Sequence, residues 1–243
     1  LKYISNFTGS AGFAVILKNR NYMFVDGRYT IQAGIQCGKE FQICNIPKEY
    51  PFTIFKNKNL NLGFDPKLHT ESSINMLFGN SLIKLKPVNK NLIDLLWKRE
   101  KNSKIKPFYL IKDQDAGSGV QKKLDRLVKI IKFNKADYTF VTASENVAWL
   151  LNIRGQDTSY SPLPNSHAII SKDGKVLLFC NSKKINRSLK TKIYKDVKIY
   201  DFNLLPNFFL NLFNKNVLID ASTCSFFYKL IIKKNNSIIE KQD

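Results

Sequence analysis

The sequence predicts a mixed α/β protein made of two tandem domains of one design, each a mixed sheet flanked by helices. Three observations carry that prediction. Short β-prone apolar runs alternate with segments of helical periodicity along the whole chain. A polar stretch ending in proline, residues 99–107 (Arg-Glu-Lys-Asn-Ser-Lys-Ile-Lys-Pro), divides it. A short pattern near the start then recurs after the divide in constant register.

The first half opens on Phe-Thr-Gly-Ser-Ala-Gly, residues 7–12. Phe13 to Leu17 and Tyr22 to Val25 are apolar and predict paired strands, joined by the polar turn Lys18-Asn19-Arg20-Asn21. Asp26-Gly27-Arg28-Tyr29 leads into a helix running to about Cys37, with Asp26 placed to cap it. Phe41 to Cys44 and Leu60 to Phe64 predict further strands, the second broken by Asp65-Pro66. A helix follows from Thr70 to Phe78, a strand from Leu82 to Leu85 ended by Pro87, and a short helix from Asn91 to Trp97.

In the second half, Leu124, Leu127, Val128 and Ile131 repeat at helical spacing and predict an amphipathic helix from Gly119 to Phe133. Tyr138 to Val141 predicts a strand. Ser144 or its neighbour caps a helix through Leu151. His167 to Ser171 and Lys175 to Cys180 predict a hairpin across Lys172-Asp173-Gly174. A strand at Val197 to Tyr200, a helix near Leu204 to Phe213, a strand at Val217 to Ile219 and a helix from Ser222 complete the pattern.

The repeat pairs Tyr3-Ile4-Ser5-Asn6-Phe7-Thr8-Gly9 with Trp149-Leu150-Leu151-Asn152-Ile153-Arg154-Gly155. Downstream, Ala14-Val15-Ile16 is echoed by Ala168-Ile169-Ile170 after a longer loop. The opening glycines precede a strand, whereas phosphate-binding glycine loops follow a strand and open a helix, so the pattern reads as a turn. Gly9 and Gly155 share the role of helix exit, where glycine tolerates positive φ. Ser10-Ala11-Gly12 is special to the first copy. A helix and a strand precede Trp149 but almost nothing precedes Tyr3, so the first copy is expected to lack them at its N-terminal edge and the native protein to extend upstream.

Composition narrows the function classes. The chain has 243 residues, 44% of them hydrophobic, enough for two cores. No apolar run approaches the length of about 18 residues that suggests a membrane span, and no secretion signal is visible. Cys37, Cys44, Cys180 and Cys224 form no Cys-x-x-Cys pair and read as buried reduced thiols of a cytoplasmic protein. The net charge of +20 favours an anionic partner, but the lysines are spread along the chain, and the aromatics fall in apolar runs, which argues against nucleic acid. The two histidines, His69 and His167, sit in no metal-ligand pattern, and no Asp/Glu cluster accompanies them.

Three stretches together carry a resemblance: residues 3–12 (Tyr-Ile-Ser-Asn-Phe-Thr-Gly-Ser-Ala-Gly), 24–33 (Phe-Val-Asp-Gly-Arg-Tyr-Thr-Ile-Gln-Ala) and 148–155 (Ala-Trp-Leu-Leu-Asn-Ile-Arg-Gly). In that order and spacing the sequence resembles the two N-terminal domains of the Xaa-Pro aminopeptidases (aminopeptidase P), of the creatinase/prolidase group. Asn89 to Trp97 adds a fourth similar stretch. Asn6 and Val25 depart from the family's Gly and Thr. The resemblance implies creatinase-like domains over residues 1–103 and 104–243, followed in the family by a catalytic "pita-bread" domain absent from this sequence. That domain carries two divalent metal ions, usually manganese, which activate water against the bond before a proline. On this resemblance the chain is the non-catalytic part that shapes the entrance and positions peptides with proline in second position. It is expected to hydrolyse nothing alone, to act with its own C-terminal catalytic domain, and to belong to a homodimer.

The family's Asp-Gly-Arg-Tyr arginine binds the peptide, and the matching residue is Arg28. A guanidinium offers five donors in a fixed fork, suited to a carbonyl or carboxylate. The competing reading is that Arg28 only pairs with Asp26 at a helix start, with Asp26 and Gly27 shaping the turn and Tyr29 serving packing. The alternative function is a stand-alone binding module without peptidase activity, taking an anionic partner.

Overall fold

The computed structural model describes residues 1–79, 81–97 and 105–242. The chain forms two compact units, Leu1–Lys101 and Asn102–Asp243. The predicted boundary at 103/104, and residues 99–104 of the predicted linker, lie outside the described residues.

The first unit begins with a single helical turn, α1 (Lys2–Ser5), and the glycine loop. Strands β1 (Phe13–Ile16) and β2 (Asn21–Asp26) pair antiparallel, with Phe13 opposite Phe24. Helix α2 (Thr30–Gln36) crosses over to β3 (Phe41–Ile46), which pairs parallel with β2. As the middle strand, β2 is buried on both faces, which explains its unbroken apolar run. Met23 and Val25 pack with Phe7, Ala33 and Cys37, while Tyr22 and Phe24 pack with Val15, Cys44 and Phe55 on the opposite face. Full burial of each of the large apolar side chains here, such as Met23, Val25, Phe24 and Phe55, contributes roughly 1.5–3 kcal/mol.

A one-turn helix, α3 (Pro51–Ile54), follows, with proline at its first position. Then β4 (Asn61–Phe64), α4 (Glu71–Phe78), β5 (Lys84–Pro87) and α5 (Leu92–Leu96) complete the unit. Thr70 and Ser73 form a reciprocal capping box on α4. The Asn91 side chain caps α5 by accepting from the Ile93 N–H. Strands β4 and β5 pair parallel as a separate two-stranded sheet. The fifth strand starts two residues later than predicted, and α3 was not predicted.

The second unit runs β6 (Tyr109–Leu110), α6 (Val120–Phe133), β7 (Tyr138–Val141), α7 (Ser144–Leu151), β8 (Ile153–Arg154), β9 (Ser166–Ser171) and β10 (Val176–Cys180). It continues with α8 (Arg187–Lys192), β11 (Val197–Asp201), α9 (Leu205–Leu210), β12 (Asn216–Ile219), α10 (Phe226–Lys233) and β13 (Ser237–Glu240). Its main sheet is mixed, in the order β11-β10-β9-β7-β12-β13. One face is covered by Leu124 and Ile131 of α6, Val147 and Leu151 of α7 and Leu189 of α8. The other is covered by Leu205 and Phe209 of α9 and Ile231 and Ile232 of α10.

The two units share a topology. In both, an antiparallel hairpin (β1-β2, β9-β10) leads to a third strand parallel to its second member. In both, a later pair of strands is parallel (β4-β5, β12-β13). In the second unit β7 joins the two sets, antiparallel to β9 and parallel to β12. In the first, the three-stranded and two-stranded sheets share a core but no described strand joins them.

The helix exits correct the reading of the glycines. The left-handed residues are Asn6 (φ 57°) and Asn152 (φ 51°), which close α1 and α7. Gly9 and Gly155 are needed instead for close approach. A Cβ on Gly9 would lie 2.2 Å from the Phe7 ring, and one on Gly155 would lie 2.7 Å from Cα of Pro164. The starts of α2 and α10 also differ. Asp26 does not cap α2, whose cap position is Tyr29 with no side-chain bond, because the Asp26 carboxylate is taken by Arg28. At α7 the cap position falls on Ala143, the neighbour of Ser144 that the sequence reading allowed, without a side-chain bond. Helix α10 starts at Phe226, capped by Ser225, because Asp220 first folds the chain into a turn on the Ser222 N–H and hydroxyl. Helix α9 ends at Leu210, short of Phe213.

Candidate functional site

The glycine loop and the Asp26–Ala33 stretch meet at the exposed end of β2. Asp26 ends that strand, and its Oδ1 accepts from the backbone N–H of Arg28 at 2.9 Å, which turns the chain. A Cβ on Gly27 would meet nothing within 4 Å, so sterics do not require glycine there. Arg28 Nε donates to Oδ1 at 3.0 Å and Nη2 to Oδ2 at 2.7 Å, a two-point fork. Nη1 takes no part in it. The Arg28 side chain remains 72% exposed. The hydrogen bonds from Arg28 hold the Asp26 carboxyl below its ordinary value, and Asp26 raises that of Arg28 in return. The pair therefore stays ionised.

Tyr29 does more than pack. Its ring stands edge-on to buried Phe7, with centroids 5.8 Å apart. The Arg28 guanidinium carbon lies 5.2 Å from the Tyr29 ring centroid, within cation–π range. The Tyr29 hydroxyl is 2.6 Å from the Ser10 hydroxyl. A second set of bonds ties the loop to α2. Gln36 Oε1 accepts from the Thr8 N–H at 2.9 Å, and Gln32 and Gln36 amides both donate to Thr8 Oγ1. Gln32 and Gln36 lie one turn apart on α2 and so face the loop together. Ala33 between them is fully buried.

Arg28 thus does pair with Asp26, as the competing reading required, while keeping an exposed donor edge. The roles of Ser10, Thr8, Gln32 and Gln36 were not foreseen. Ser10-Ala11-Gly12 and Asp26-Gly27-Arg28-Tyr29, which both lack a counterpart in the second repeat, fall on this one surface.

The remaining candidates resolve into structural roles. His69 packs edge-on to Phe64 and is half-buried, which lowers its pKa. His167 sits among the rings of Phe140, Phe202 and Tyr228. The four cysteines are buried and free, with burial pushing Cys44 up to about 11 and Cys180 up to about 12. Among the described residues no group of three or more His, Cys, Asp or Glu could hold a metal ion, so these residues do not fit a metal centre. No described helix is long and apolar enough to cross a membrane.

Comparison with known proteins explains the two-unit plan. Two family models, both described as the creatinase/prolidase N-terminal domain, match residues 1–92 and 98–243. The chain belongs to this family. Among relatives, a probable Xaa-Pro aminopeptidase P of Coprinopsis cinerea is 31% identical over 216 residues, covering 85% of this chain and 35% of that protein. Aminopeptidase P1 of Arabidopsis thaliana is 30% identical over 192 residues, covering 76% of this chain and 30% of that protein. The chain therefore spans about a third of the length of these relatives. The crystal structure of the X-prolyl aminopeptidase of Caenorhabditis elegans, a cytosolic enzyme with a di-nuclear active site, shares the fold with a TM-score of 0.85. That match covers 99% of this chain and 42% of the worm protein at 23% identity. Both creatinase N-terminal domains are thus present, as the repeat and the resemblance implied.

Proposed function

We propose that this creatinase/prolidase N-terminal pair is the non-catalytic, substrate-positioning part of a metal-dependent Xaa-Pro aminopeptidase. The whole enzyme removes the first residue from peptides with proline in second position. Supporting this reading are the family, the aminopeptidase P relatives and one observation in particular. Arg28 presents an exposed guanidinium edge that Asp26 orients through a two-point fork. A cation so held can bind a peptide carbonyl or carboxylate without losing its geometry to water. Two divalent ions, manganese in our reading, belong to a catalytic domain outside these residues. No metal step is assigned to this chain. We place the enzyme in the cytoplasm, as a homodimer whose partners are peptides rather than nucleic acid or membrane.

The test is kinetic. In the full-length protein, Arg28→Ala should raise KM for an Xaa-Pro peptide by about tenfold, the loss of one charged hydrogen bond. The 243-residue chain alone should release no amino acid from the same peptide. Unchanged KM and kcat in Arg28→Ala would remove this residue from the site. Hydrolysis by the chain alone would overturn its non-catalytic role.

A further inference from the structure

We infer that Ser10 and Tyr29 are positioning residues for Arg28, so that the glycine loop works as the anchor of the substrate-binding guanidinium. The inference rests on the reading of Arg28 as a peptide-binding residue and adds to it two residues and a role for the loop.

The argument starts from what an exposed arginine lacks. Its side chain has several rotatable bonds, and an exposed ion pair alone restrains it weakly. The Asp26 fork fixes the Nε–Nη2 edge of the guanidinium, and Nη1 takes no part in it. A second restraint comes from the Tyr29 ring, 5.2 Å from the guanidinium carbon. That ring is itself held at two points. Its edge contact with Phe7 reaches the core, where Phe7 is 1% exposed. Its hydroxyl meets the Ser10 hydroxyl at 2.6 Å.

Ser10 in turn is carried by a short loop anchored at one side by Thr8 on Gln32 and Gln36. At its other side the loop packs against β2. A Cβ at Gly12 would meet the Phe24 carbonyl at 3.0 Å and Val25 Cγ1 at 3.1 Å. Gly9 lies against the Phe7 ring with no room for a side chain. The two glycines let the loop lie close enough for Ser10 to reach Tyr29. A continuous series of contacts therefore runs from the core through Phe7 and Tyr29 to the guanidinium, with Ser10 holding the Tyr29 hydroxyl from the loop. It explains why Ser10-Ala11-Gly12 and Asp26-Gly27-Arg28-Tyr29 occur together in the first repeat and not in the second.

The experiment reads the arginine directly. In the 243-residue chain, the Arg28 Nε–H resonance is followed by NMR for hydrogen exchange and order, in the parent, Ser10→Ala, Tyr29→Phe, Tyr29→Leu and Ser10→Thr. Backbone spectra confirm that each variant is folded. Ser10→Ala and Tyr29→Phe should both speed Nε–H exchange, Tyr29→Leu more so, and Ser10→Thr should restore the parent behaviour because it keeps the hydroxyl. In the full-length enzyme the first two should raise KM about threefold, with kcat held, as loss of one neutral hydrogen bond would. An Arg28 Nε–H unaffected by Ser10→Ala and Tyr29→Phe overturns the positioning role, whatever the kinetics. A loosened Nε–H with unchanged KM sustains the positioning role and overturns instead the assignment of Arg28 to substrate.

Discussion

Asn6 and Asn152 close helices α1 and α7 in the same left-handed conformation, with φ of 57° and 51°. They occupy matching positions in the repeat, yet their side chains carry different loads. Asn6 is exposed. Asn152 is 2% exposed, donates to Asp113 at 2.8 Å and to the Ser118 carbonyl at 3.1 Å, and accepts from the buried Lys123 ammonium at 2.5 Å. Burial lowers the Lys123 pKa, so the ammonium depends on such acceptors to stay charged.

Alanine at the two positions should therefore differ sharply in cost. Asn6→Ala forfeits only left-handed tolerance, roughly 1 kcal/mol, and Asn6→Gly should be near neutral. Asn152→Ala adds the loss of buried hydrogen bonds around a charge, and should cost about 3–5 kcal/mol. Urea unfolding of the three variants measures this. Equal costs at Asn6 and Asn152 would refute the account.

The glycines separate close approach from backbone conformation. If Gly9 and Gly155 served positive φ, asparagine would substitute well there. Their constraint is steric, so Gly155→Ala should cost roughly 2–3 kcal/mol, because the colliding atoms are the backbone of Leu163 and Pro164. Gly155→Asn should be no better. Gly27→Ala meets open space and should leave the melting temperature within a degree or two. A rescue by asparagine would return Gly155 to the role of helix exit.

These contrasts mark what was legible beforehand. Period-two and period-3.6 patterning exposed most strands and the long helix α6, because Leu124 and Ile131 are buried by the sheet they cover. The repeat was legible because Asn6 and Asn152 keep one register. The short helices α3 and α8 have too few residues to show a period, although Pro51 at a first helical position and the Asn186 cap were visible signals. The terminal strand β13 is only half-buried and carries little apolar pattern. Arg28 was reachable only through a resemblance. Ser10 and Tyr29 were not reachable, because a contact between residues nineteen apart in sequence depends on the packing of α2 on β2.

His167 supplies a pH dependence. Burial among aromatic rings lowers its pKa from 6.5 to about 4. It is neutral when folded and binds a proton more readily when unfolded, so stability is intact above pH 6.5 and falls as pH drops toward 4. Between pH 7 and pH 5 the loss should be about 2 kcal/mol from this residue. Urea unfolding at both pH values, for the parent and for His167→Phe, isolates it from the carboxylates. An equal loss in both proteins would show that His167 is not the source.

Asp26 and Arg28 predict a separation of stability from binding. The pair is exposed, so Asp26→Asn should leave the unfolding midpoint unchanged within error. The same change removes the fork's charge and lets the guanidinium swing. In the full-length enzyme KM for an Xaa-Pro peptide should rise while kcat changes little. A lowered midpoint with unchanged KM would assign the pair to folding instead.

The last prediction concerns the sheets. In the second unit β9 is paired on both edges, by β7 and β10. In the first unit β1 is paired by β2, and no other described strand lies on it. Alternate amides of an antiparallel strand point to opposite edges, so about half the β1 amides lack a ladder partner of the kind β9 has on both sides. Amide exchange should therefore be slow throughout Ala168 to Ile170, at the heart of the larger core, and fast at alternate positions between Phe13 and Ile16. Uniform protection across β1 would mean that its second edge is covered in solution, by a strand that plays for the first unit the part β7 plays for the second.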